Sequence, residues 1–166
     1  MRPRRTRKVS RATIIRLAAM VLTSAVAAAC KTAILSPCPN GAKLMGAAPP
    51  QGQETWCEKL DPSGHAVKDG PFTLYWPNGT KMLEGYYRDG KQDGLWTRFY
   101  PGGQRLAVDT YRNGVQEGQH VGWYADGRES DEGRYRDGKR EGHWHRWDKN
   151  GLQNWDEEYR DDKRVS

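Results

Sequence analysis

Beyond residue 68 the apolar and aromatic positions fall into short runs, none longer than a single strand. Phe72–Trp76, Trp96–Tyr100, His120–Tyr124 and Trp144–Asp148 open the pattern, and each is followed by a second run such as Lys81–Arg88. Aromatic and β-branched enrichment over five residues, bounded by glycine, predicts strands. Pro77-Asn78-Gly79, Pro101-Gly102-Gly103, Asp126-Gly127 and Asn150-Gly151 separate the two runs, and Asp89-Gly90, Asn113-Gly114 and Asp137-Gly138 follow the second. These dipeptides supply the positive φ of tight hairpin turns. Connections this short force antiparallel neighbours, so the pattern predicts a meander with no helix.

The same order of elements returns every 24 residues, over 69–92, 93–116, 117–140 and 141–164. Each copy opens on an acid (Asp69, Asp93, Glu117, Glu141) followed by a glycine (Gly70, Gly94, Gly118, Gly142), and a second glycine column runs through Gly79, Gly103, Gly127 and Gly151. Both columns are read as turn glycines. The expected fold is therefore all-β: an elongated single-sheet antiparallel meander of four 24-residue β-hairpin repeats, preceded by a disulfide-linked cap.

A single sheet must bury something, and three aromatic columns offer it. Tyr75, Phe99, Trp123 and Trp147 form one, Phe72, Trp96, His120 and Trp144 a second, and the tyrosines Tyr87, Tyr111, Tyr135 and Tyr159 a third. Stacked hairpins would set each ring on the equivalent ring of the neighbouring copy. Asp162 stands where the last turn expects glycine, and Asp156-Glu157-Glu158 charges the last strand, which suits a C-terminal cap.

The N-terminal residues obey a different logic. Residues 1–29 combine a basic start with an apolar stretch ending in Ala27-Ala28-Ala29, the form of a cleaved signal peptide, with an uncleaved anchor as the alternative. Ala27–Cys30 resembles a lipobox in which Cys30 is lipidated, while ordinary cleavage at the small-residue site stays open. The formal charge of +6 belongs to this segment, because 7 of the 27 basic residues precede Cys30 and all 21 acids follow it. The remainder is close to neutral, which removes the electrostatic ground for nucleic-acid binding. Lipidation of Cys30 would leave Cys38 and Cys57 to pair in an oxidising compartment, the alternative being two free thiols. Residues 30–54 read as a lipidated tether and loop, and 55–68 as a capping half-repeat.

Tyr86–Gly103 (Tyr-Tyr-Arg-Asp-Gly-Lys-Gln-Asp-Gly-Leu-Trp-Thr-Arg-Phe-Tyr-Pro-Gly-Gly) and Tyr135–Trp144 (Tyr-Arg-Asp-Gly-Lys-Arg-Glu-Gly-His-Trp) resemble MORN repeats of the bacterial, YwqK-type antitoxin family. Cys38–Gly41 and the Trp56-Cys57 pair resemble exported MORN-repeat lipoproteins. The resemblance implies a repeat sheet and leaves the ligand open.

Catalytic chemistry finds no foothold. His143 and His145 share a strand face without a third metal ligand, His120 fills an aromatic column, and no serine sits in a nucleophile setting. Neither a cofactor nor a metal is expected. The expected function is a non-enzymatic scaffold, anchored to the bacterial cell envelope through Cys30, that binds an unknown protein partner. An antitoxin or immunity-like role is the first alternative. The second is a glycan or anionic-lipid headgroup held on aromatic faces flanked by Arg88, Arg98, Arg112, Arg136, Arg146 and Arg160.

Overall fold

A computed structural model describes Cys38, Pro39 and residues 41–165. The leader read over 1–29 and the candidate lipidation site Cys30 lie outside these residues. The described chain is all-β, with strands β1 Lys43–Ala47, β2 Glu54–Leu60, β3 Ala66–Tyr75, β4 Lys81–Arg88, β5 Lys91–Gln92, β6 Gly94–Phe99, β7 Arg105–Arg112, β8 Val115–Trp123, β9 Glu129–Arg136, β10 Lys139–Trp147, β11 Gln153–Arg160 and β12 Lys163–Arg164. They form one open antiparallel sheet in chain order, and β5 continues the line of β6 by pairing with β4.

Two turn types alternate. Asp89 and Gly90 both have positive φ, as do Asn113-Gly114, Asp137-Gly138 and Asp161-Asp162. That is the two-residue turn whose twist matches paired strands. Asp162 therefore keeps the turn without glycine, and its Oδ1 accepts from Arg140 N at 2.9 Å and Arg140 Nε at 3.2 Å, which holds the left-handed backbone. The other connections use a three-residue loop. Gly79 N donates to Trp76 O while Trp76 N donates to Thr80 O, and the bonds recur at Gly103, Gly127 and Gly151.

The acid-glycine column is not a turn. Gly70, Gly118 and Gly142 lie inside β3, β8 and β10 with positive φ, and Gly94 opens β6. The strand registers slip beside them, between Trp56 and Glu58, Asp109 and Tyr111, and Glu141 and His145. These glycines make β-bulges, so β3, β8 and β10 begin well before the aromatic runs that announce them.

Residues 30–54 were expected to hold no strand, yet β1 pairs with β2 from Lys43–Glu58 to Ala47–Glu54. Its side chains are mostly exposed, so the backbone ladder and the neighbouring Cys38–Cys57 disulfide fix it rather than apolar burial. The disulfide seats on the first bulge: a Cβ at Gly70 would lie 2.9 Å from Cys57 Cβ and 2.7 Å from Pro39 Cδ.

One stripe across the sheet carries the core. Cross-strand pairing sets Phe72 opposite Gly85, Trp96 opposite Asp109, Asp109 also opposite His120, His120 opposite Gly133, and Trp144 opposite Glu157. Phe72, Trp96, Asp109, His120 and Trp144 are all buried. Glycine is what admits the indoles. A Cβ at Gly85 would come within 2.3 Å of Trp96 Cδ2, and one at Gly133 within 2.1 Å of Trp144 Cδ2.

Candidate functional site

Along the stripe, large rings at 72, 96 and 144 give way to histidine at 120, and glycines at 85 and 133 give way to aspartate at 109. The two departures meet. His120 Nδ1 lies 2.7 Å from Asp109 Oδ1, and His120 Nε2 lies 2.7 Å from Asp131 Oδ2. Asp109 also accepts from Arg98 Nη2 and Gln116 Nε2, each at 3.0 Å, and Ser130 Oγ donates to Asp131 Oδ1 at 2.9 Å. Strands β6 to β9 thus converge on one imidazole.

Burial alone would lower the His120 pKa, but the hydrogen bonds and charges of Asp109 and Asp131 outweigh it and lift the value to about 9. Burial would raise Asp109, yet His120 and Arg98 hold it below the usual carboxylate range. The His120 hydrogen bond does the same for Asp131. The ring is therefore an imidazolium at neutral pH, with both N–H groups donated to carboxylates. It carries no free lone pair for proton abstraction.

The acid column has a structural duty that the sequence only half disclosed. Asp69 Oδ1 accepts from the Asp89 turn N–H at 2.9 Å, Glu117 Oε2 from Asp137 N at 2.8 Å, and Glu141 Oε2 from Asp161 N at 3.2 Å. The arginines that follow Tyr87, Tyr111 and Tyr135 reach the next acid: Arg88 to Asp93 at 2.8 Å, Arg112 to Glu117 at 2.9 Å, Arg136 to Glu141 at 3.2 Å. Three of the six arginines considered as ligand contacts are thereby occupied.

The tyrosine column belongs to the core. Tyr87 meets Phe72 edge-on at 5.5 Å and Trp96 at 5.0 Å, Tyr111 meets Trp96 at 6.2 Å, and Tyr135 meets His120 at 6.2 Å and Trp144 at 5.0 Å. Tyr159 lies under the Arg140 guanidinium at 3.9 Å. Among the described residues no ring contact joins Tyr75, Phe99, Trp123 and Trp147 to one another. Here the inter-hairpin link is polar: Trp76 Nε1 donates to Phe99 O at 3.1 Å, Tyr100 Oη to Trp123 O at 2.9 Å, and Tyr124 Oη to Trp147 O at 2.7 Å. His143 and His145 stack in parallel at 6.1 Å, and no metal-holding group of three ligands occurs among the described residues.

Shallow concavities lie on both faces of this part of the sheet. On the core face a cleft of about 360 Å³ opens over Ala107 and Gly122, between Arg98 and Arg146 and beside Trp123. On the opposite face a depression of about 290 Å³ is lined by Leu95, Thr97, Arg105, Val108, Thr110, Gln119, Val121 and Trp123. Sequence reading missed Asp109, Asp131, Gly85, Gly122 and Gly133, although the 85/109/133 column changes in step with 96/120/144. Compared with known proteins, the chain matches no family model and no curated protein.

Proposed function

We propose that this chain is a non-enzymatic scaffold of four MORN-like hairpin copies, held at the bacterial cell envelope through a lipid on Cys30, that binds another protein. The observation carrying this reading is the depression centred on Leu95 and Val108. Where it displays Leu95, Thr97, Val108 and Thr110, the positions 48 residues further on are His143, His145, Asp156 and Glu158. Apart from Arg105 and Gln119 the lining is apolar or hydroxyl-bearing, set in a charged sheet face, and with Leu95 at 64% exposure it has the composition of an interface centre. The repeated acids, arginines, tyrosines and glycines join hairpin to hairpin, which leaves recognition to positions where copies differ.

Co-purification from crosslinked envelopes with wild type, Val108→Glu and Val115→Glu tests the reading. Val115 is exposed but lies outside the depression. A partner depleted at least tenfold by Val108→Glu and retained by Val115→Glu supports the scaffold, and indistinguishable protein profiles from the three chains reject it.

A further inference from the structure

The cleft over Gly122 has a chemistry that the contacts between hairpins leave unused. Cross-strand pairing aligns Arg98, Ala107, Gly122, Asp131 and Arg146 in one row on the core face. At the equivalent positions 74, 98, 122 and 146 stand Leu, Arg, Gly and Arg; glycine leaves the row one bulky side chain short between the two arginines, and Asp131 Oδ1 and Ser130 Oγ lean in to 2.8 and 2.9 Å from where a Gly122 Cβ would stand. Arg98 gives Nη2 to Asp109 and keeps its remaining donors. Arg146 has no carboxylate in ion-pair range among the described residues, and its guanidinium lies over the Trp155 ring at 5.3 Å. The fork is therefore positioned by stacking while its N–H groups stay available.

We infer that this cleft receives the carboxylate of an aspartate or glutamate side chain presented by a protein partner. The planar forks of Arg98 and Arg146 match a carboxylate, and the Ala107 methyl offers an apolar contact for its methylene stem, while Asp131 and Ser130 cover Gly122. Charge balance selects the class. Arg98, Arg146 and the imidazolium of His120 stand against Asp109 and Asp131, leaving one surplus positive charge at the cleft. A monoanion neutralises it, whereas a phosphate monoester would leave excess negative charge in a part-buried setting. The inference rests on the protein-binding reading but uses the face opposite the Leu95 depression.

The test titrates the full chain, purified in detergent and labelled with ¹⁵N, with acetyl-Ala-Phe-Glu-Leu-Ala-amide, with its glutamine counterpart, and with inorganic phosphate. The arginine Nε–H and Gly122 amide resonances are the readout. The glutamate peptide should bind at least tenfold more tightly than either other probe and shift the Arg98, Arg146 and Gly122 signals. Arg146→Gln should abolish the preference and Arg146→Lys should weaken it. Arg134→Gln, which alters another arginine without a carboxylate partner, should leave it intact. No shift at millimolar glutamate peptide, equal affinity for the glutamine peptide, tighter binding of phosphate, or a preference that survives Arg146→Gln would each overturn the inference. A Val108-dependent partner that persists while the peptide preference is absent rejects the cleft and keeps the scaffold. A peptide preference without such a partner does the reverse.

Discussion

Asp109 and His120 face each other across β7 and β8 at 2.7 Å, at the point of the core stripe where neighbouring strands instead set an indole against a glycine. The sheet thus joins successive hairpins in two ways. Trp96 over Gly85 and Trp144 over Gly133 are apolar joints, and His120 between Asp109 and Asp131 is an ionic one.

Breaking the ionic joint from one side should cost far more than exchanging it. Asp109→Ala leaves a buried imidazolium short of one carboxylate and should destabilise the chain by about 3–5 kcal/mol. Asp109→Gly with His120→Trp recreates the arrangement seen at Gly85 and Trp96, and should recover most of that loss. Urea unfolding of Asp109→Gly, of His120→Trp and of the double variant measures the coupling. Additive losses would show that the two positions do not form one joint.

Stability should fall on the alkaline side before ordinary lysine titration. The His120 pKa rises from 6.5 to about 9 on folding, so its contribution is complete below pH 6.5 and is lost as pH climbs through 9. Asp109 and Asp131 are held below 3.8, so their contribution is present above that value and disappears as pH falls through their lowered pKa values. The melting temperature should therefore decline between pH 6.5 and 9 in wild type, and this decline should flatten in the Asp109→Gly, His120→Trp double variant.

Two kinds of glycine should respond differently to alanine. Gly85→Ala and Gly133→Ala push a methyl into an indole ring and should cost about 1–3 kcal/mol, with altered tryptophan emission. Gly79→Ala meets no atom within 4 Å but must hold φ near +86°, so it should cost about 1 kcal/mol and leave the emission unchanged. Equal emission spectra for all three variants would contradict the ring-on-glycine packing.

Removing the Cys38–Cys57 disulfide should act locally. The bond closes a separation of 19 residues and contributes about 3 kcal/mol on chain-entropy grounds. Cys38→Ser with Cys57→Ser should speed amide exchange in β1 and β2 first, while β8 to β10 keep their protection.

How far the sequence could be read depended on whether a signal was local. β4 is found at Lys81–Arg88, as its flanking turn residues predict. β3, β8 and β10 start earlier than read, because a positive-φ glycine serves a bulge as well as a turn, and Gly70, Gly118 and Gly142 serve bulges. β1 gives no apolar alternation, since it is an edge strand held by its backbone. His120 stood out as the odd member of an aromatic column. Asp109 did not, because the column Gly85, Asp109, Gly133, Glu157 acquires meaning only when cross-strand register sets each member beside a ring.

The central structural claim is that the repeated positions join hairpin to hairpin and that the middle joint is an ionised bridge. Nitrogen NMR of His120 tests it most directly. Both ring nitrogens should carry protons at pH 7.5, with exchange-protected N–H signals and a titration midpoint near 9. A single protonated nitrogen at pH 7.5, with a midpoint near 6.5, would contradict the bridge and the account of the joint built on it.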